Sequence, residues 1–233
     1  FIYRTKNFEL SGRYTIARGN PARRLRRYSF GYDYKDITFA QAQSEDFDDL
    51  DINPDDVLHD PALIADARRF SGPVFTYENV EPEFVSRAYI DRFDRVEDYN
   101  LGENFAGTVQ LAPEILGSRN DTLLFSLVRS GGKLLSEQAF VRAEMGISSR
   151  VNADGLENSL ARFEARYYNV VGDFFAGDTF LGRHTLAANL QLDYGDNLDR
   201  DREFLLGGDN GLRGYEARTF YGDKRLLLNV EDR

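Results

Sequence analysis

The feature that most constrains this chain is a period-two alternation of apolar and polar residues, repeated in segment after segment. Successive side chains of a strand point to opposite faces, so the pattern specifies strands with one apolar and one polar side. In 8–17, Phe8, Leu10, Tyr14 and Ile16 share one face, while Glu9, Ser11, Arg13 and Thr15 share the other. Gly19-Asn20-Pro21 then makes a turn. In 25–40, Tyr28, Phe30, Tyr32 and Tyr34 oppose Arg27, Ser29, Gly31, Asp33 and Lys35. Alternation continues less cleanly through 73–93, read as one long strand, and returns in 104–111, 122–129, 134–148, 158–168 and 185–194. In the last segment Leu226, Leu228 and Val230 oppose Arg225, Asn229 and Glu231. These make nine candidate strands and no long helix, so the expected class is all-β and antiparallel.

Residues 41–70 interrupt the alternation with an acidic stretch. Asn53-Pro54 and Asp60-Pro61 each look like a helix N-cap followed by proline at the first helical position. A long loop with one or two short helices is expected there. Connections are expected to be short at 18–23, 95–102, 130–133 (with Gly131-Gly132 as a tight turn) and 172–179. They are expected to be longer at 41–70, 112–120, 149–157 and 195–221.

Composition narrows the classes. The net charge is 29 − 39 = −10, whereas a nucleic-acid binder needs clustered cations to neutralise phosphates. There is no cysteine, which removes disulfides and thiolate metal sites. No window approaches the ~18 consecutive apolar residues of a spanning helix, so a membrane role must come through strands. Alternation alone does not choose between a membrane barrel and a soluble sheet with one buried face. Three observations favour the membrane. Segments run to ten residues or more, near the ~9–11 that a tilted spanning strand needs. The apolar faces are nearly free of charge while the polar faces collect both signs, as suits a wet lumen. The Tyr28–Tyr34 stripe is aromatic, as at a membrane interface. Spanning sheets must close, and single-chain bacterial barrels use even strand numbers. Nine strands therefore predict a barrel cut at both ends, and the opening at Phe1 without Met predicts a missing N-terminal part.

The most specific segment is 204–233. The run Gly207-Gly208-Asp209-Asn210-Gly211-Leu212-Arg213-Gly214-Tyr215, then Gly222-Asp223, then Asn229-x-Glu231-x-Arg233, resembles the bacterial surface-antigen superfamily of outer-membrane assembly and translocation barrels. Val96-Glu97-Asp98-Tyr99-Asn100-Leu101-Gly102 looks like one of that superfamily's periplasmic turns. The resemblance is strong over those final residues and diffuse elsewhere. It implies a transmembrane barrel of roughly sixteen strands, of which this chain would supply the fourth through twelfth. It also implies an outer-membrane location, with loop 41–70 extracellular and loop 195–221 folded into the lumen. Arg213 would then dock on an acidic residue of a neighbouring strand. The implied partners are outer-membrane lipid and client polypeptides, with periplasmic chaperones or accessory lipoproteins.

The loop chemistry also stands apart from the resemblance. Gly207, Gly208, Gly211 and Gly214 open backbone conformations closed to other residues. Arg213 is a five-donor fork suited to a carboxylate, and Tyr215 has an aromatic body with a polar tip. Glu231, Asn229 and Arg225 face one side of their strand and are the candidate lumenal partners, and Glu231 is the best local candidate for the acidic residue on which the resemblance implies that Arg213 docks. Read alone, Gly207–Tyr215 also fits a plain glycine-rich hairpin loop; its place between two amphipathic strands, with the Asn229/Glu231 strand following, favours the family reading.

Other signals are weaker. Asp49-x-Asp51-x-Asn53-x-Asp55 has calcium-loop spacing, but Pro54 stands where the turn needs glycine and Asp60 replaces the bidentate glutamate. His59 and His184 are isolated, so no metal ligand set and no cofactor is expected. No catalytic constellation is found, and no enzyme activity is expected from these residues. Two other classes stay open: the barrel portion of a larger enzyme such as a patatin-like phospholipase, and a soluble all-β interaction module.

Overall fold

The structure is a computed structural model that describes residues 3–47, 64–92 and 95–233. The chain is all-β. Its strands are β1 (Tyr3–Asn20), β2 (Arg24–Gln41), β3 (Arg68–Val80), β4 (Phe84–Ala88), β5 (Val96–Asn100), β6 (Asn104–Ala112) and β7 (Thr122–Leu134). They continue with β8 (Ala139–Asn152), β9 (Gly155–Ala176), β10 (Thr179–Asp196), β11 (Phe204–Leu206), β12 (Phe220–Gly222) and β13 (Lys224–Asp232). Nine of them form one antiparallel sheet in the order β1-β2-β3-β6-β7-β8-β9-β10-β13. β4-β5 and β11-β12 form separate two-stranded ribbons. Among the described residues the sheet is open, since β1 and β13 each pair on one side only.

Register follows the alternation. Tyr14 lies opposite Phe30, Phe30 opposite Phe75, Phe75 opposite Val109 and Val109 opposite Phe125, so one row of apolar residues crosses five strands. On the same face Leu192 lies between Phe163 and Leu226, and Leu190 between Ala165 and Leu228. The opposite face carries Arg142, Arg166 and Asn189 in one row and Glu144, Glu164 and Gln191 in the next.

The sheet is curled into a trough with its polar face inside. Four strands separate β3 from β10, yet Arg68 at the start of β3 forms a bidentate pair with Asp201 just beyond β10, both contacts at 2.7 Å. The usual burial order of a water-soluble sheet is thereby reversed. Asp193 of the concave face is buried, whereas Phe8, Leu10, Tyr14, Leu226, Leu228 and Val230 of the convex face are exposed.

Several connections differ from expectation. Gly131 and Gly132 lie inside β7, and the turn falls at 135–138. Residues 149–157 form no long loop: β8 and β9 join through 153–154. The single strand expected over 73–93 is divided, because β3 starts at Arg68 and ends at Val80 and β4 belongs to another ribbon. Residues 97–102 form no simple turn, since Val96–Asn100 pairs with Phe84–Ala88. The long connections therefore sit at both ends: 81–103 at one, and 42–67 and 197–223 at the other. The Pro54 and Pro61 helix starts, the calcium-like spacing and His59 lie outside the described residues, and a 3-10 helix at Ser44–Phe47 opens that loop.

Candidate functional site: the concave face and its inserted loop

Residues 197–223, two residues displaced from the expected 195–221, leave the far end of β10 and run back along the concave face beside β13. Three contacts set this path. Arg225 donates to the carbonyl of Leu205 at 3.1 Å. Gly211 packs on Leu227, so closely that a Cβ there would lie 2.4 Å from the leucine Cδ2. Arg213 then donates to Glu231 at 3.2 Å. From Arg225 to Glu231 is six residues of strand, so the loop tip sits roughly 20 Å along the trough.

The ribbon β11-β12 is the stalk of this loop and Gly207–Thr219 its tip. Two glycines are required by geometry. Gly211 has φ 124, and a Cβ on Gly208 would lie 2.2 Å from the Tyr215 carbonyl oxygen. Gly207 closes the same turn, its N–H donating to Asn210 Oδ1 and its carbonyl accepting from the Leu212 N–H. Gly214 is left-handed at φ 93. Tyr215 packs edge-on against Phe220, with ring centroids 5.5 Å apart.

The predicted residues have distinct surroundings. Arg213 is 87% exposed and Glu231 29%, so their pair faces open space in the trough. Arg225 is largely buried and serves a different carboxylate: its Nε and Nη2 reach Asp193 at 2.8 and 2.7 Å. Arg162 takes the other oxygen of Asp193 at 2.6 Å. Asn229 lies opposite Asn189 and lines a cavity with Asp91, Arg166, Glu231 and Arg233.

A second cluster, not singled out in the sequence, pins the root of the loop. Arg150 of β8 makes a two-pronged pair with Asp199 and a third contact with Glu157 at 2.8 Å. Arg68 reaches Asp199 at 2.9 Å as well as Asp201. Burial pushes the Asp201 carboxyl up, but the Arg68 guanidinium outweighs it and holds the group below the usual carboxylate range. The alternating signs of Asp199-Arg200-Asp201-Arg202 were the available signal, but such a run reads locally as solvated surface. Alongside lies a cavity of about 270 Å³, lined by Lys35, Phe70, Gln110, Ser148 and Arg150 among others.

Fold and site together define a class: an all-β chain built on one curled antiparallel sheet, polar within, into which a glycine-rich loop is inserted and ion-paired. No protein-family model, curated protein or solved structure matches the chain.

Proposed function

We infer that this chain is the strand scaffold of an outer-membrane β-barrel of the surface-antigen type, which assists the insertion or passage of other polypeptides. The observation that carries the reading is the reversal of faces. The convex side presents large exposed apolar residues from β1 to β13, while arginines and carboxylates line the trough. Soluble monomers rarely expose contiguous apolar patches beyond ~300–600 Å². Hydrocarbon satisfies such an exterior, and water satisfies such an interior.

Strand length supports the same reading. β7, β8, β9 and β10 run 13, 14, 22 and 18 residues, beyond the ~9–11 required to cross a bilayer. Exposed sheet edges are not tolerated in lipid, so this reading requires further strands to pair with β1 and β13 and close the barrel. The Arg213 loop would lie in the resulting lumen and shape the route of a client polypeptide. Outer-membrane lipid, client polypeptides, and periplasmic chaperones or accessory lipoproteins are the partners this function calls for.

The test is reconstitution of the full-length protein in detergent and lipid vesicles. A barrel migrates faster on a gel before boiling than after, and resists extraction from vesicles by carbonate. A protein that stays monodisperse in detergent-free buffer, with identical migration before and after boiling, would sink the proposal.

A further inference from the structure

We propose that the β4-β5 ribbon, with its flanking residues 81–83 and 101–103, forms a plug that occludes one end of the trough and swings out to open it. The inference rests on the barrel reading and adds a gate to it. The β3/β6 ladder ends at Val80 and Asn104, after which the two chains bend and continue as the β4-β5 ribbon. The bend requires Gly102, where a Cβ would overlap the Glu81 carbonyl oxygen at 1.7 Å. From there the ribbon crosses the concave face to β8, β9, β10 and the end of β13.

Its seat is unlike the rest of that face. Phe140 and Tyr168 point into the trough among charged neighbours, yet both are buried, because Tyr99 of the ribbon packs on them at 5.0 and 5.9 Å. Leu101 lies on Gly132, whose N–H donates to the leucine carbonyl at 2.8 Å. A polar, wet channel has no use for an apolar platform unless something sits on it.

The attachment is that of a movable element. β4-β5 is its own two-stranded sheet with no ladder to the large one, so it can leave without breaking any strand pairing of the trough wall. Polar latches hold it. Thr185 Oγ1 donates to the Tyr89 carbonyl at 2.7 Å, and Arg233 reaches Asp91 at 2.8 Å. Arg233 also contacts Glu231 at 2.8 Å, the residue that receives Arg213, so plug and inserted loop share one latch.

The experiment uses the full-length protein in planar bilayers. Residues 1–233 contain no cysteine, so Tyr89→Cys with Thr185→Cys, in a background where any cysteine elsewhere in the full-length protein is replaced by serine, can tie the plug to the wall. The oxidised pair is expected to abolish current openings, and dithiothreitol to restore them. Replacing 84–100 by a short glycine-serine linker should raise mean conductance severalfold, and Asp91→Ala should raise the frequency of openings. Equal conductance of the linker variant and the wild type, or of the oxidised and reduced pair, would overturn the plug. Gel heat-modifiability of every variant separates the two ideas: normal migration with unaltered conductance overturns the gate alone. Loss of that property in the wild type overturns the barrel reading and the gate with it.

Discussion

Arg150 of β8 donates from Nη1 to Asp199 at 2.7 Å, across 49 residues of sequence. It fastens the root of a loop that leaves the sheet after β10 and returns along the concave face. Both side chains are about nine-tenths buried. The pair is therefore structural in a way that the exposed pairs along the strand ends are not.

Removing one partner of a buried ion pair leaves a charge without water or counter-ion, which typically costs ~3–5 kcal/mol. Arg150→Ala leaves Asp199 with Arg68 as its remaining counter-ion and takes the partner from half-buried Glu157, so it is expected to destabilise the protein by ~1–3 kcal/mol. The exposed pair Arg129–Glu103, 60% and 65% exposed, provides the comparison: Arg129→Ala should change stability by ~0–1 kcal/mol. Urea unfolding followed by circular dichroism in detergent compares the two, and equal effects would contradict the clamp.

Acid should release the same loop. The Asp201 carboxyl titrates below its ordinary value in the folded protein, so its contribution is fully present above the unfolded value of ~3.9. That contribution is lost as pH falls through the folded value, because protonation removes the charge that Arg68 holds. Protease cleavage within 197–203 is expected to rise between about pH 5 and pH 2, and Asp201→Asn to show that cleavage already at neutral pH. A flat profile in the wild type would rule out this anchoring role.

Arg213→Ala tests the loop tip. With Arg213 so exposed, its pair with Glu231 is worth ~0–1 kcal/mol to global stability, so unfolding should barely change. Protease cleavage near Tyr215 should increase, and any translocation activity should fall. Wild-type protease resistance together with wild-type activity would contradict docking of the tip.

Adjacent residues of β10 should respond in opposite ways to the same substitution. Leu190 lies on the convex face and Gln191 on the concave face, as their partners Leu228 and Glu164 show. In lipid, Leu190→Arg is expected to cost ~2–4 kcal/mol, and Gln191→Arg much less. Folding yield into vesicles measures the difference, and similar yields would argue against a hydrocarbon exterior.

Gly132→Val probes the ribbon seat. A Cβ at that position would lie 2.7 Å from both Leu101 Cδ2 and the Val141 carbonyl oxygen, whereas one at Gly131 meets nothing closer than 3.7 Å. Gly132→Val should expose 81–103 to protease, and Gly131→Ala should not. The double glycine looks like a turn in sequence because glycine punctuates loops. Only the packed ribbon shows that Gly132 is small to make room for Leu101.

The sequence by itself determined which residues share a face, and hence the all-β class and the nine strands of the sheet. Side-chain alternation is a local consequence of extended backbone, visible wherever Leu186, Ala188 and Leu190 are interrupted by Ala187 and Asn189. The grouping of Arg225, Asn229 and Glu231 on one side was legible for the same reason. Tertiary structure alone decided the curl of the sheet, the route of the inserted loop and the folding of the β4-β5 ribbon over the trough. Arg68 meets Asp201 across 133 residues and Arg233 meets Asp91 across 142, and no local spacing encodes either meeting. Such contacts depend on accumulated sheet curvature and on glycine bends at positions such as Gly102, where the signal is an absent side chain.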